Sequence, residues 1–141
     1  MTSRIAIIGL VLAVSLAGAD VIRAREPDNP SPVTAQQLFA EALAGEVGKE
    51  VVAQTYVFPA GAVLPWHIHP GAHEIAYVLE GTLTFERAGE PPREIHAGEA
   101  DYLPPNVVHR GMNRTDQPVK LFVVRIKPKD RPLVQEVPPP Q

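Results

Sequence analysis

The sequence predicts an all-β fold, a sandwich or a small barrel, and three observations point to it. Beyond Glu50 the chain runs in short stretches rich in β-branched and aromatic residues, punctuated by Gly and Pro. About eight such stretches follow one another at spacings of roughly 8–12 residues, the rhythm of sandwiches and small barrels. Proline numbers 16 among 141 residues, about twice the usual frequency of roughly 5%, which favours short elements over long helices. The hydrophobic share of 45% suffices for one buried core, and the length matches one domain of roughly 100–150 residues.

Taken in order, residues 1–19 have the layout of a secretory signal peptide. Arg4 precedes an apolar or small-residue stretch from Ile5 to Ala19, and Ala17-Gly18-Ala19 offers a cleavage site before Asp20. The expectation is an exported, periplasmic protein; left uncleaved, residues 5–22 would instead anchor it in a membrane. Residues 20–33 are polar and proline-rich and read as a tether. The folded domain is expected over residues 34–130. At its start, Thr34 and Gln37 form a capping-box pattern, and Leu38, Phe39, Ala42 and Leu43 share one helical side up to Gly45. This predicts a short N-terminal helix, with an extended segment as the alternative.

Strands are expected at Val51–Phe58, Val63–His69, Glu74–Leu79, Thr82–Arg87, Arg93–Ile95, Ala100–Leu103, Val107–Asn113 and Val119–Ile126. Arg125, Lys127, Lys129 and Arg131 alternate along an extended end and read as a solvated edge that discourages aggregation. Residues 131–141, with Pro138-Pro139-Pro140, are expected to be an extended solvated tail.

Charge and composition exclude several functions. A net charge of −3 gives no basic footprint for nucleic acid. The absence of cysteine rules out thiolate metal sites, iron–sulfur clusters, disulfides and cysteine nucleophiles. Any metal must be held by His and carboxylate. His67 and His69 are two apart in a strand-like run, so both imidazoles point to one face. Pro70-Gly71 then turns the chain, bringing Glu74 back beside them, while His109 follows the turn Pro104-Pro105-Asn106. Neutral imidazoles with one carboxylate suit Fe, Mn, Ni, Cu or Zn as dications. Because ligands must be deprotonated, binding should weaken as pH falls through roughly 6.

These residues carry a specific resemblance. Gly61, His67, Ile68, His69, Glu74 and Gly81 match the first cupin motif at every defined spacing. Gly98, Pro104, Pro105, Asn106, His109 and Asn113 resemble the second, with Asn106 in place of the usual Gly. Asn is among the few residues that tolerate the left-handed backbone such a turn needs. The resemblance, to small single-domain cupins of the cupin type-2 kind, runs from about Gly48 to Ile126. It implies a double-stranded β-helix, or jelly-roll barrel, with one divalent transition metal inside it on His67, His69, Glu74 and His109.

The remaining residues get plainer readings. His73 faces away from Glu74 and reads as a turn or surface residue; His96 reads as structural. Asn113 should hydrogen-bond a turn. Trp66 and Ile68 face away from the histidines and should pack on the N-terminal segment or a second subunit, which suggests a homodimer. Strand parity places Ala76 and Val78 on the face of Glu74. The last long strand must turn either Leu121, Val123 and Arg125 or the fully apolar Phe122, Val124 and Ile126 inward. The apolar set is preferred, which makes Ala76, Val78, Tyr102 and Phe122 the expected substrate-contacting residues of a small chamber. The expected activity is that of a metal-dependent, dioxygenase-like enzyme acting on a small organic molecule, with Glu74 as the catalytic carboxylate. Non-redox isomerase or lyase chemistry and ligand binding without turnover are the alternatives, because the fold hosts all three.

Overall fold

A computed structural model describes residues 32–141, which form ten strands and no helix. They are β1 (Thr34–Ala42), β2 (Lys49–Phe58), β3 (His67–Ile68), β4 (His73–Glu80), β5 (Thr82–Arg87), β6 (Arg93–His96), β7 (Ala100–Leu103), β8 (His109–Met112), β9 (Val119–Pro128) and β10 (Gln135–Glu136). Two five-stranded sheets result, in the orders β1-β2-β9-β4-β7 and β10-β3-β8-β5-β6. Every strand pairing within them is antiparallel. This is the expected all-β double-stranded β-helix. The signal-peptide stretch and most of the tether lie outside the described residues.

Alternation explains why these segments are strands. In β9 Leu121, Val123, Arg125 and Lys127 are buried while the residues between them are partly exposed, and β4 buries Glu74, Ala76 and Val78 in the same period of two. The apolar core lies between the sheets, built on Phe58, Val78, Leu83, Phe85, Ile95, Leu103, Val119, Leu121 and Val123. Two turns depend on unusual backbone. Gly81, between β4 and β5, has φ of 81° and lies so close to Pro118 that a Cβ would stand 2.9 Å from its carbonyl oxygen. Asn106 adopts φ of 64° where the motif usually has Gly, and its Oδ1 accepts a hydrogen bond from the Gly71 amide at 3.0 Å.

Of the two N-terminal alternatives the structure has the extended one, strand β1, and corrects the helix. Its nine residues are all exposed, so Leu38, Phe39 and Ala42 of the apolar stripe have no surface to pack on. An isolated helix of that length is marginal, since roughly 12–15 residues are needed for stability in water. Pairing with β2 instead, from Thr34↔Val57 to Ala42↔Glu50, satisfies the backbone along a sheet edge. A register shift between Gln37 and Phe39 breaks the strand's alternation, which hid it from a period-two reading.

The C-terminal tail is also corrected in part. Gln135 and Glu136 form β10, paired with Ile68 and His67, and the Val137 amide donates to Trp66 O at 2.9 Å. Residues 133–137 thus lie as a strap along β3.

Candidate metal centre

His67 and His109 face each other across the β3–β8 pairing, and His69 follows just beyond β3. All three rings are buried, and their ligand atoms lie within 4.8 Å of one another. The ring centroids are 4.2 Å apart for His67 and His109 and 5.0 Å for either with His69. Each Nδ1 faces a backbone carbonyl: His67 Nδ1 to Pro65 O at 2.8 Å, His69 Nδ1 to Leu133 O at 2.6 Å, and His109 Nδ1 to Val107 O at 2.9 Å. A carbonyl can only accept, so each Nδ1 carries a ring proton, and in its neutral, metal-binding form each ring keeps a bare Nε2 lone pair.

Glu74 stands against this cluster from β4. Its Oε2 is 2.8 Å from His69 Nε2, and its Oε1 is 3.9 Å from His109 Nε2. Yet His69 Nε2 is buried without a hydrogen-bond partner, because the ring's one proton is already given to Leu133. Two lone pairs face each other at contact distance, and a cation between them relieves the conflict. The donor set therefore fits a metal ion.

The electrostatics agree. Burial lowers the pKa of His67, the Pro65 bond opposing it, and pushes His109 down to about 4 against the pull of Glu74. For these two ligands, proton competition sets in below the pH of roughly 6 that exposed imidazoles would give. Burial alone would raise the pKa of Glu74, but the Arg125 guanidinium outweighs it and holds the carboxyl well below the usual range.

Arg125 is the residue that sequence reasoning misplaced. Together with Lys127 it was expected on a solvated edge, and Phe122 was expected inside. The structure turns Leu121, Val123, Arg125 and Lys127 inward and leaves Phe122, Val124 and Ile126 on the outer face opposite Tyr77, Ile75 and His73. Buried charge is tolerated because both cations are paired. Arg125 Nε donates to Glu74 Oε2 at 2.6 Å, and Lys127 Nζ to Glu50 Oε1 at 2.7 Å. Lys129 and Arg131 are exposed, as expected of the edge.

A small cavity, part of it open to solvent, adjoins the imidazoles. Ala76 lines it, as expected, with Tyr56, Phe58, Leu64, Leu83, Phe85, Gly111, Leu121, Val123 and Arg125. The other expected contacts do not line it. Val78 is buried in the core beyond it, Phe122 faces outward, and Tyr102 is exposed, its hydroxyl 2.7 Å from His73 Nδ1. Tyr102 follows Asp101, which points inward to Arg87 and Arg93, so parity sends the tyrosine out.

The plainer readings fare well. His73 and His96 are on the surface. Asn113 Nδ2 donates to Phe58 O, Pro59 O and Gln117 O, clamping a turn. Trp66 lies under the Arg110 guanidinium of β8, 4.7 Å from its ring centroid, and not against the N-terminal segment that was one of its two expected partners.

No curated protein matches the chain. Among solved structures, a Cupin 2 conserved barrel domain protein from Salinispora arenicola CNS-205 aligns at 25% identity over 81% of this chain and 89% of its own, with a TM-score of 0.53. The DMSP lyase DddQ from Ruegeria pomeroyi DSS-3 aligns at 24% identity over 74% of this chain, with a TM-score of 0.60, and the chain spans 51% of it. An oxalate oxidase in complex with the substrate analogue glycolate aligns at 21% identity and a TM-score of 0.60, covering 85% of this chain and 62% of its own. The cupin domain family matches residues 54–125, half of the sequence, which spans both histidine motifs; this chain belongs to the cupin family.

Proposed function

We propose that this chain is an exported, single-domain cupin that holds one divalent transition metal on His67, His69, His109 and Glu74 and acts as a dioxygenase-like enzyme on a small organic substrate. One observation carries the reading: three imidazoles, each pinned through Nδ1 to a carbonyl, aim three unprotonated Nε2 atoms at a common point beside a carboxylate. Fe, Mn, Ni, Cu and Zn all accept such ligands. When bound, a redox-active ion of this set would relay electrons from the organic substrate to dioxygen.

The chain's own residues orient the ligands, exclude water and bind the substrate. Phe58, Leu64, Leu83, Phe85 and Val123 make the cavity largely apolar. Among its described lining residues Glu74 is the one carboxylate, and its charge is engaged by Arg125. A lyase or isomerase working by proton abstraction would lack a free base there, and this favours the oxidative reading over the non-redox one. An oxalate oxidase and a DMSP lyase both share the fold, so the fold itself does not choose. Export rests on the pattern of residues 1–19 and places the mature start at Asp20.

The test is elemental analysis of protein purified with its native metal, followed by oxygen-uptake assays across enolizable and phenolic compounds. We expect about one metal per chain, abolished by replacing His67 and His69 together with Ala, and Glu74→Gln lowering turnover more than substrate affinity. Stoichiometric metal in the double variant would sink the ligand assignment. Ligand binding without oxygen uptake would make the chain a binding module.

A further inference from the structure

The guanidinium of Arg125 has more hydrogen-bonding capacity than its neighbours use. Its Nε donates to Glu74 Oε2 at 2.6 Å, and its Nη1 donates to Gln54 Oε1 at 2.7 Å and to Tyr56 Oη at 3.0 Å. Tyr56 in turn donates its own proton to Gln54 Oε1 at 2.9 Å, so this triangle is closed. Arg offers five N–H donors in a fixed plane. None of the hydrogen bonds among the described residues uses Nη2, and that atom is not among the fully buried unpartnered ones, so it meets open space although Arg125 as a whole is only 5% exposed. The side chain lines the chamber beside the imidazoles and also an outer cavity that shares Tyr56, Leu64 and His67 with it.

Charge points the same way. Three neutral imidazoles, one carboxylate and one guanidinium sum to zero, so a bound dication leaves the chamber with two uncompensated positive charges. Glu74 cannot serve as counter-charge to both the ion and Arg125. Glu136 lines the outer cavity, but it is exposed and makes no ion pair with Arg125. A buried, doubly positive chamber with apolar walls selects a ligand that brings its own negative charge on a compact apolar body.

We propose that Arg125 is the substrate-binding cation of this site, and that the ligand is a small organic carboxylate. Its carboxylate pairs with Nη2 while its body lies among Leu64, Phe58 and Val123 beside the imidazole cluster. The assignment rests on the metal reading above and narrows it. Glu74 at Nε and the Gln54–Tyr56 pair at Nη1 hold the guanidinium plane in place before the ligand arrives, so little ordering accompanies binding.

The experiment uses protein loaded with Zn(II), its metal content measured first, with propionate, its neutral analogue propionamide and inorganic phosphate as probes in calorimetry. A charge-assisted pair of this kind is expected to favour propionate over propionamide by about tenfold or more. Arg125→Lys keeps a cation for Glu74 but cannot reach Nη2's position at the same time. It should lower propionate affinity by about tenfold with zinc content unchanged. In the unmutated protein, the ¹⁵N resonances of the Arg125 guanidinium should shift on adding propionate, a readout that needs no variant. Equal binding of the acid and its amide, tighter binding of phosphate, an unmoved guanidinium signal, or a fully zinc-loaded Arg125→Lys with undiminished affinity would each overturn the assignment. A protein that takes up no zinc defeats the metal reading itself, a result distinguishable from all of these.

Discussion

His67 and His109 take their Nδ1 acceptors from residues two positions earlier, Pro65 and Val107, just ahead of their own strands. His69 does not. Its acceptor, the Leu133 carbonyl, comes from 64 residues further along the chain, held in place by the strap of residues 133–137 on β3. Cutting the chain after Pro132 removes that acceptor and leaves the Pro65 and Val107 acceptors of the other two imidazoles in place, while β3 also loses its β10 pairing at Ile68 and His67. The barrel should survive, since β10 contributes only the pairings Gln135↔Ile68 and Glu136↔His67 and both of its residues are exposed. Losing a hydrogen-bond partner behind a metal-binding imidazole typically costs about 10–100-fold in metal affinity, or roughly 1.4–2.7 kcal/mol. A chain cut after Val137 keeps the carbonyl and every strap contact, so it serves as the control.

The assay is competition for Zn(II) or Co(II) against a coloured chelator, with circular dichroism to confirm the fold. We expect the chain ending at Pro132 to bind about tenfold to a hundredfold more weakly and the chain ending at Val137 to match the full protein. In the metal-free full chain, ¹⁵N spectra should show His67, His69 and His109 as the Nδ1–H tautomer, and only His69 should lose that preference on the shorter cut. A folded chain ending at Pro132 that binds metal within twofold of the full protein would refute the reasoning.

Acid should destabilise the metal-free protein before it reaches ordinary carboxylates. With His109 pushed down to about 4 when folded and near 6.5 when unfolded, the unfolded chain binds the extra proton between those values. Stability therefore falls as pH drops through that window, by roughly 2–3 kcal/mol at pH 4.5. Glu74, also depressed, adds to the loss at lower pH with the same sign. Urea midpoints at pH 7 and 4.5 that coincide would contradict this. Gly81→Ala should be more destabilising than Gly98→Ala. Both positions have positive φ, at 81° and 92°, but only at Gly81 would the new Cβ meet a backbone oxygen, at 2.9 Å. We expect about 1–2 kcal/mol for the conformation alone, with the clash added at Gly81; equal melting temperatures would remove the distinction. Finally, Ile75, Tyr77, Leu79 and Tyr102 stand between 40% and 51% exposed on one outer sheet face, continuous with the partly exposed Phe122 and Val124. This face, rather than Trp66 and Ile68, is the expected dimer surface. Light scattering should give a dimer at micromolar concentration and a monomer for Tyr77→Lys; an unchanged mass for the variant would locate the contact elsewhere.

What the sequence disclosed was what is local in it. The spacing of His67, His69 and Glu74 around one turn and the second motif at His109 depend on strand parity and on turns a few residues long, and the structure brings these four side chains together. Asn106 and Asn113 were legible for the same reason, since their roles are set by backbone within their own turns or by a clamp on the next. The β1 edge strand was not. Its apolar spacing fits a helix, and only the availability of the β2 edge, with a bulge to absorb the misfit, decides against it.

Arg125 shows the limit most directly. Parity in β9 offered two inward sets, and hydrophobicity chose the apolar one. The set that contains a charge is the buried one, because Glu74, Gln54 and Tyr56, each more than fifty residues earlier, supply its partners. Burial of a guanidinium is decided by what faces it across the barrel, and no window of sequence holds that information. The strap has the same character. Leu133 acts through a backbone carbonyl, a group every residue has, so its side chain carries no trace of the role. The motif histidines are the part this chain shares with its family. The groups that would set its own ligand, Arg125 and the segment behind His69, arrive from the last strands, where composition alone reads as solvated edge and tail.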